Sequence, residues 1–310
     1  MTADRPVNAD VDELNRRFGA PGRIVFRPSP TGHPFAALAN KYGSAEISLY
    51  GAHTLSYRPT GNSQVLFMSK RVDYRPGSAI RGGIPVCWPW FGACGEPGSK
   101  AHGFARSSVW SVRGSEYSEE DSTLVLGLSD SDETRALWPH KFDLELRISL
   151  TMKLNLSLAT VNTGDEAFKI TEGFHPYFLV KDRDAASVRG VAGCDYVDAR
   201  DMSGKVQTGD LAVTENVNHV FKTAKNEFAL VDPGLRRAIA VVSRGNSKLV
   251  VWNPGPVEEG TFANLAPDDW KSFVCVEPAT LFREDALVVP PGGRHELFAA
   301  VQCVPDMTGI

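Results

Sequence analysis

The sequence predicts an all-β fold of the sandwich or barrel type, and three observations point there. From Arg23 onward the apolar residues recur with a period of two. The alternating runs are short, rich in β-branched and aromatic residues, and separated by clusters of Gly, Pro, Asn and Asp. Few segments compete with the 3.6-residue period of a helix.

The first element is the exception. Residues 9–18 place Val11, Leu14 and Phe18 at helical spacing before Gly19, which predicts a short helix within a peripheral segment, residues 1–20. Strands are expected over 45–50, 54–58, 64–68, 109–113, 123–128, 169–172, 227–231, 238–243, 248–252, 273–277 and 296–302. The acidic stretch Glu116–Asp121 between two of them reads as a solvated hairpin tip rather than a metal site.

The strongest alternation runs from Phe142 to Leu158, where every even position is apolar and every odd one polar. One face of this segment is therefore buried. A single straight strand of that length would reach roughly 56 Å at about 3.3 Å per residue, far beyond the usual strand, so a hairpin is expected inside it. Because the alternation never slips, the turn must keep both arms on one face. A three-residue turn or a bulge near Lys153-Leu154-Asn155 does so, whereas a two-residue loop in simple register does not.

Composition narrows the function classes. The chain has 310 residues with a formal charge of −4 and no basic stripe, which argues against a nucleic-acid partner. Neither a leader-like apolar core at the N-terminus nor a membrane-length apolar run is seen, so a cytoplasmic protein that neither spans nor enters a membrane is expected. Five cysteines without a C-x-x-C pair suggest reduced thiols rather than disulfides or structural zinc. No internal repeat or low-complexity linker interrupts the chain, so residues 1–310 are read as a single domain.

Four segments break the alternation: Ile80–Gly92, Ala101–Arg106, Glu172–Phe178 and Cys275–Ala279. Sequence rules tend to fail at functional sites. Arg81 precedes two glycines that let backbone approach a ligand, and its guanidinium could grip a phosphate; the alternative is a surface arginine beside a turn. Arg106, four residues after His102, repeats the pattern, and two converging arginines would suit a dianion. His175 lies among Phe174, Pro176, Tyr177 and Phe178, which fits either a fixed catalytic imidazole or a satisfied core residue. Glu277 ends an apolar strand, where a carboxylate is costly unless paired, functional or emerging into solvent.

In order and wording these segments resemble the aldose 1-epimerase (mutarotase) superfamily, most closely its glucose-6-phosphate 1-epimerase branch. The resemblance spans roughly residues 40–303. It rests on Gly51-Ala52, Arg81-Gly82-Gly83-Ile84-Pro85, His102-Gly103-Phe104-Ala105-Arg106, Phe174-His175-Pro176-Tyr177-Phe178, Val251-Trp252-Asn253-Pro254 and Val276-Glu277-Pro278. It implies a large antiparallel β-sandwich of the galactose-mutarotase type with few short helices, acting on a small-molecule sugar phosphate as a monomer without cofactor or metal. It also implies Glu277 and His175 as catalytic residues, and Arg81, His102, Arg106 and Asp198 as substrate-binding residues, with Asp195 the competing aspartate. Ala101 stands where this branch often has glutamine.

Mutarotation opens a cyclic hemiacetal and recloses it. It needs a base on the anomeric hydroxyl and an acid on the ring oxygen. Reference values near 4.3 for Glu and 6.5 for His make Glu277 the base and His175 the acid. The rivals are a mutarotase of unphosphorylated aldoses and a noncatalytic carbohydrate-binding sandwich. A zinc hydrolase finds no support, because the histidines lack ligand spacing.

Overall fold

The computed structural model describes residues 10–305, apart from 30–31, 73, 75–76, 95–99, 215, 224, 257–260 and 263. Residues 1–9 of the N-terminal segment lie outside the described residues. The predicted helix forms as Val11–Phe18, with the Asp10 side chain accepting from the backbone of Asp12 and Glu13 and Leu14 buried beneath it.

Two large antiparallel sheets dominate. One has nine strands and contains Ser111–Tyr117, Ser122–Ser129, Phe142–Leu150, Leu154–Asn162 and Arg294–Pro305 as consecutive neighbours, in reversed order. The other contains Val217–Lys222, Lys248–Asn253, Phe273–Thr280, Glu172–Phe174 and Val86–Cys87, hydrogen-bonded in that order. A single apolar cluster draws from both, with Leu144, Leu146 and Ile148 on one side and Phe174, Val251, Val274 and Val276 on the other. A four-stranded sheet over residues 24–59 contributes Ile24, Leu38 and Ile47 to the same core. This is the β-sandwich that the period-two pattern predicts.

The hidden hairpin is present. Phe142–Leu150 pairs with Leu154–Asn162 in the register Leu146↔Leu158 and Leu150↔Leu154, so even residues face even residues and all point into the core. Its three-residue turn is Thr151-Met152-Lys153, two residues earlier than expected, and it leaves Met152 exposed at the tip. The acidic stretch joins Ser111–Tyr117 to Ser122–Ser129 as a hairpin tip.

Other expectations are corrected. Residues 64–68 form only isolated bridges, Leu66 to Phe178 and Met68 to Gly82. The run 169–172 is divided between Phe168–Ile170, paired with Leu287–Val289, and Glu172–Phe174 in the second large sheet. Thr171 is the switch point: its N–H donates to Pro89 O and its hydroxyl accepts from Phe91 N. A second helix, Asp132–Leu137, is fixed by a Ser131–Thr134 capping box. The hairpin Asp195–Asp198 with Ser203–Val206 also escapes a hydrophobicity reading, because it is mostly polar.

Candidate active site

Phe273–Thr280 is buried along its whole length. Two short strands pair with it in succession, Glu172–Phe174 through Gly173↔Ala279 and Tyr177–Leu179 through Tyr177↔Cys275. Both pairings have the same register. Carried through the interruption at His175-Pro176, that register sets His175 across from Glu277. Proline has no N–H to donate, and the His175 N–H is turned to Pro85 O at 3.1 Å.

His175 and Glu277 consequently share the outer face of this sheet. His175 Nε2 lies 3.5 Å from Glu277 Oε1, with both side chains buried. The solvent-facing reading of Glu277 is thereby excluded, since the residue is 1% exposed. His175 Nδ1 and Glu277 Oε2 are buried without a hydrogen-bond partner. Buried polar atoms left in this state are costly, and a ligand would relieve the cost. The imidazole is held by stacking on Tyr177, at 4.8 Å and 11°, and by the edge of Trp252 at 5.7 Å.

The pair lies in the wall of a cavity of about 1150 Å³ that is also lined by Arg81, Phe91, His102, Arg106 and Trp252. Arg81 is aimed by three contacts. It donates to Tyr177 Oη at 2.8 Å and to Asn264 Oδ1 at 3.2 Å, and it lies over the Phe262 ring. The glycines behind it permit a close backbone crossing: Gly83 has φ +61°, and a Cβ there would sit 2.3 Å from Thr54 O. Arg106 donates to Ala101 O at 2.7 Å. Among the described residues neither guanidinium forms an ion pair, so two cations face the same cavity without an ion-pair partner.

His102 sits at φ +64° and accepts at Nδ1 from the Gly92 N–H, which leaves its Nε2 as the donor. Its ring meets that of His175 edge-on at 5.5 Å. Burial, then Arg106 and Arg81, lower its pKa to about 3, so it is neutral. The structure thus gathers His175, Glu277, Arg81, His102 and Arg106 around one cavity.

Asp198 is not among the residues lining that cavity. Its buried carboxylate accepts from Arg200 Nε and Nη2 at 2.8 and 2.6 Å, with Lys205 and His219 each 3.7 Å away. The Arg200 guanidinium holds it far below the usual carboxylate range. Asp195 lines a separate, shallower depression. The neighbouring strand Val217–Lys222, paired with Asp195–Asp198, brings Asn218 to the main cavity. Tyr177, Asn264 and Phe262, which orient Arg81, were not assigned from sequence; Tyr177 lay in a flagged segment, whereas nothing local marks Asn264.

The ionisation of the pair differs from the reference-value expectation. Burial pushes the Glu277 carboxyl well up, while burial followed by His102, Arg81 and Arg106 pushes the His175 imidazole well down. Both shifts favour the uncharged state, a carboxylic acid beside a neutral imidazole. That state and the carboxylate–imidazolium state hold the same number of protons, so the pair offers one donor and one acceptor in either form.

A β-sandwich with a buried carboxylate–imidazole pair in a cationic, aromatic cavity is suited to acid–base chemistry on a polar, uncharged or anionic ring. The profile of the aldose 1-epimerase family matches residues 35–298, and the chain belongs to that family. It is an isomerase of the aldose-epimerising type. An Escherichia coli K12 protein named "Putative glucose-6-phosphate 1-epimerase" is 36% identical over 76% of this chain and 79% of its own. A Cenchrus ciliaris protein of the same name is 31% identical over 84% and 82%. The crystal structure of a Salmonella typhimurium protein described as "a putative mutarotase" superposes with a TM-score of 0.85 at 27% identity, covering 91% of this chain and 94% of that one. No helix among the described residues is long and apolar enough to cross a membrane.

Proposed function

We propose that the chain interconverts the α and β anomers of a hexose 6-phosphate, with glucose 6-phosphate the leading substrate. The observation that carries this reading is the pairing of His175 and Glu277 at 3.5 Å in a cavity that also presents Arg81 and Arg106. A neutral sugar would leave two guanidinium groups without an ion-pair partner, whereas a phosphate dianion can accept charge-assisted hydrogen bonds from both. The curated relatives carry the same substrate in their names.

The anomeric hydroxyl and the ring oxygen are both bonded to C1, so two side chains only 3.5 Å apart can reach them together. Glu277 takes the anomeric proton as carboxylate while His175 donates to the ring oxygen, the C1–ring oxygen bond breaks, and a free aldehyde forms. Rotation about C1–C2 presents the other carbonyl face. Reclosure reverses the proton transfers and restores both groups.

The bound phosphate contributes beyond anchoring. Its negative charge offsets the arginines that depress His175, which favours the imidazolium form needed for this assignment. Binding energy spent on the phosphate also fixes the ring against the pair. His102 Nε2–H serves as a neutral donor to the sugar. Asp198 holds Arg200. None of the five cysteines is in a disulfide, which fits a cytoplasmic setting.

Anomer exchange measured side by side on glucose 6-phosphate, galactose 6-phosphate and the free hexoses tests the proposal. Acceleration of the phosphate esters well above the free sugars supports it. Equal acceleration of both would return the reading to an unphosphorylated aldose.

A further inference from the structure

Cys275 has no role in the proton transfers, yet it lies on the same face of the same strand as Glu277, two residues away. It is fully buried and forms no disulfide. Its Sγ, a His175 ring nitrogen and a Glu277 carboxylate oxygen all lie within 4.8 Å of one another. No other group of three such ligands is found among the described residues. From these positions we infer that His175, Cys275 and Glu277 form a binding site for a thiophilic divalent cation, Zn²⁺ foremost, whose occupancy shuts the enzyme off.

The ligand set is chemically suited to that ion. Imidazole nitrogen, thiolate and carboxylate are the three zinc ligands of proteins, at about 2.0–2.3 Å from the metal. Tetrahedral bonds of that length separate ligand atoms by about 3.3–3.8 Å. The His175–Glu277 distance of 3.5 Å is already in that range, and bringing in the sulfur needs a movement of at most about 1.3 Å. Glu277 Oε2, buried without a partner on the same carboxylate, shows that the protein alone does not satisfy this cluster.

Coordination expels the thiol proton, and the proton on Glu277 where it is present, so binding strengthens as pH rises. The ligand set leaves a fourth position, on the side where His175 and Glu277 border the cavity. A metal held there occupies both acid–base groups, and it blocks the space of the sugar. The inhibition, unlike the metal binding itself, rests on the function proposed above.

Absorbance titration of the purified protein with Co²⁺, in the absence of sugar, tests the site. A thiolate-to-cobalt charge-transfer band that saturates at one equivalent, is displaced by Zn²⁺ and is missing in Cys275→Ala is the expected result. No band, or a band that persists in Cys275→Ala, overturns it; Cys275→Ser repeats the test if the alanine variant fails to fold. In anomer exchange, Zn²⁺ should inhibit the wild type competitively with the sugar phosphate, and a chelator should restore the rate. Cys275→Ala should keep its basal turnover and resist Zn²⁺ at least tenfold better, whereas equal sensitivity contradicts the inference. The band is read without turnover, so a protein that shows it but anomerises no hexose retains the metal site and loses the proposed function. An active enzyme with no Cys275-dependent band shows the reverse.

Discussion

Glu277 Oε1 stands 3.5 Å from His175 Nε2 because two strand fragments, on either side of His175-Pro176, keep one register against Phe273–Thr280. The register places the two groups opposite each other, and burial then sets their ionisation. Neither effect depends on a loop conformation, so the pair is preorganised.

Replacing Glu277 by Gln keeps the shape and removes the proton acceptor. Turnover should fall about 10²–10⁴-fold, the usual contribution of a positioned acid or base. Glucose 6-phosphate should still bind within about tenfold of the wild type, because the phosphate grip is untouched. Calorimetric binding together with exchange NMR checks this, and undiminished turnover would contradict it.

The pH profile should separate this pair from free side chains. With the carboxyl pushed up and the imidazole pushed down, the pair keeps its one proton to higher pH than a free imidazole would hold it. At saturating substrate, kcat should therefore stay on its plateau as pH rises through 6.5. An alkaline limb centred at or below 6.5 would show that burial does not raise Glu277.

Arg106→Ala removes one of the two cations facing the cavity. A charge-assisted hydrogen bond contributes about 1.5–3 kcal/mol, so KM for glucose 6-phosphate should rise about 10–150-fold. Any activity on free glucose should change by less than about threefold. Equal losses on both sugars would mean that the arginine supports the fold or the ring rather than the phosphate.

Buried neutral histidines predict an acid-side loss of stability. Burial lowers His53 to about 4, and its Nε2 lies 2.8 Å from Gly82 O. Between about 6.5 and about 4 the unfolded chain binds more protons at this position than the folded one, so stability falls as pH falls through that window. The slope is at most about 1.4 kcal/mol per pH unit for one group. His53→Gln should flatten the Tm–pH curve between pH 7 and 5 relative to the wild type, and parallel curves would refute the assignment.

Much of the fold was legible where one face is buried and the other wet. The hairpin across residues 142–158 could be located to within two residues from parity alone, because an unslipped alternation admits only odd-length turns in simple register. The Asp195–Val206 hairpin was not legible, since most of its side chains meet water and no period survives. The break at Thr171 was hidden for another reason: it depends on partners from residues 89–91, which local sequence does not announce. Of the site, Arg81, His102, Arg106, His175 and Glu277 stood out as chemistry-bearing residues in apolar or Gly-rich surroundings. Asp198 was named by likeness of wording, and the ion pair with Arg200 that occupies it comes from the turn two residues on. Burial, invisible in sequence, moves His175 and Glu277 away from their reference pKa values in opposite directions.

The most direct test is a crystal structure of the protein with glucose 6-phosphate bound. The anomeric and ring oxygens should lie within about 3.2 Å of the Glu277 and His175 side chains, with the phosphate against Arg81 and Arg106. A sugar ring seated elsewhere in the cavity, with C1 out of reach of both side chains, would contradict it.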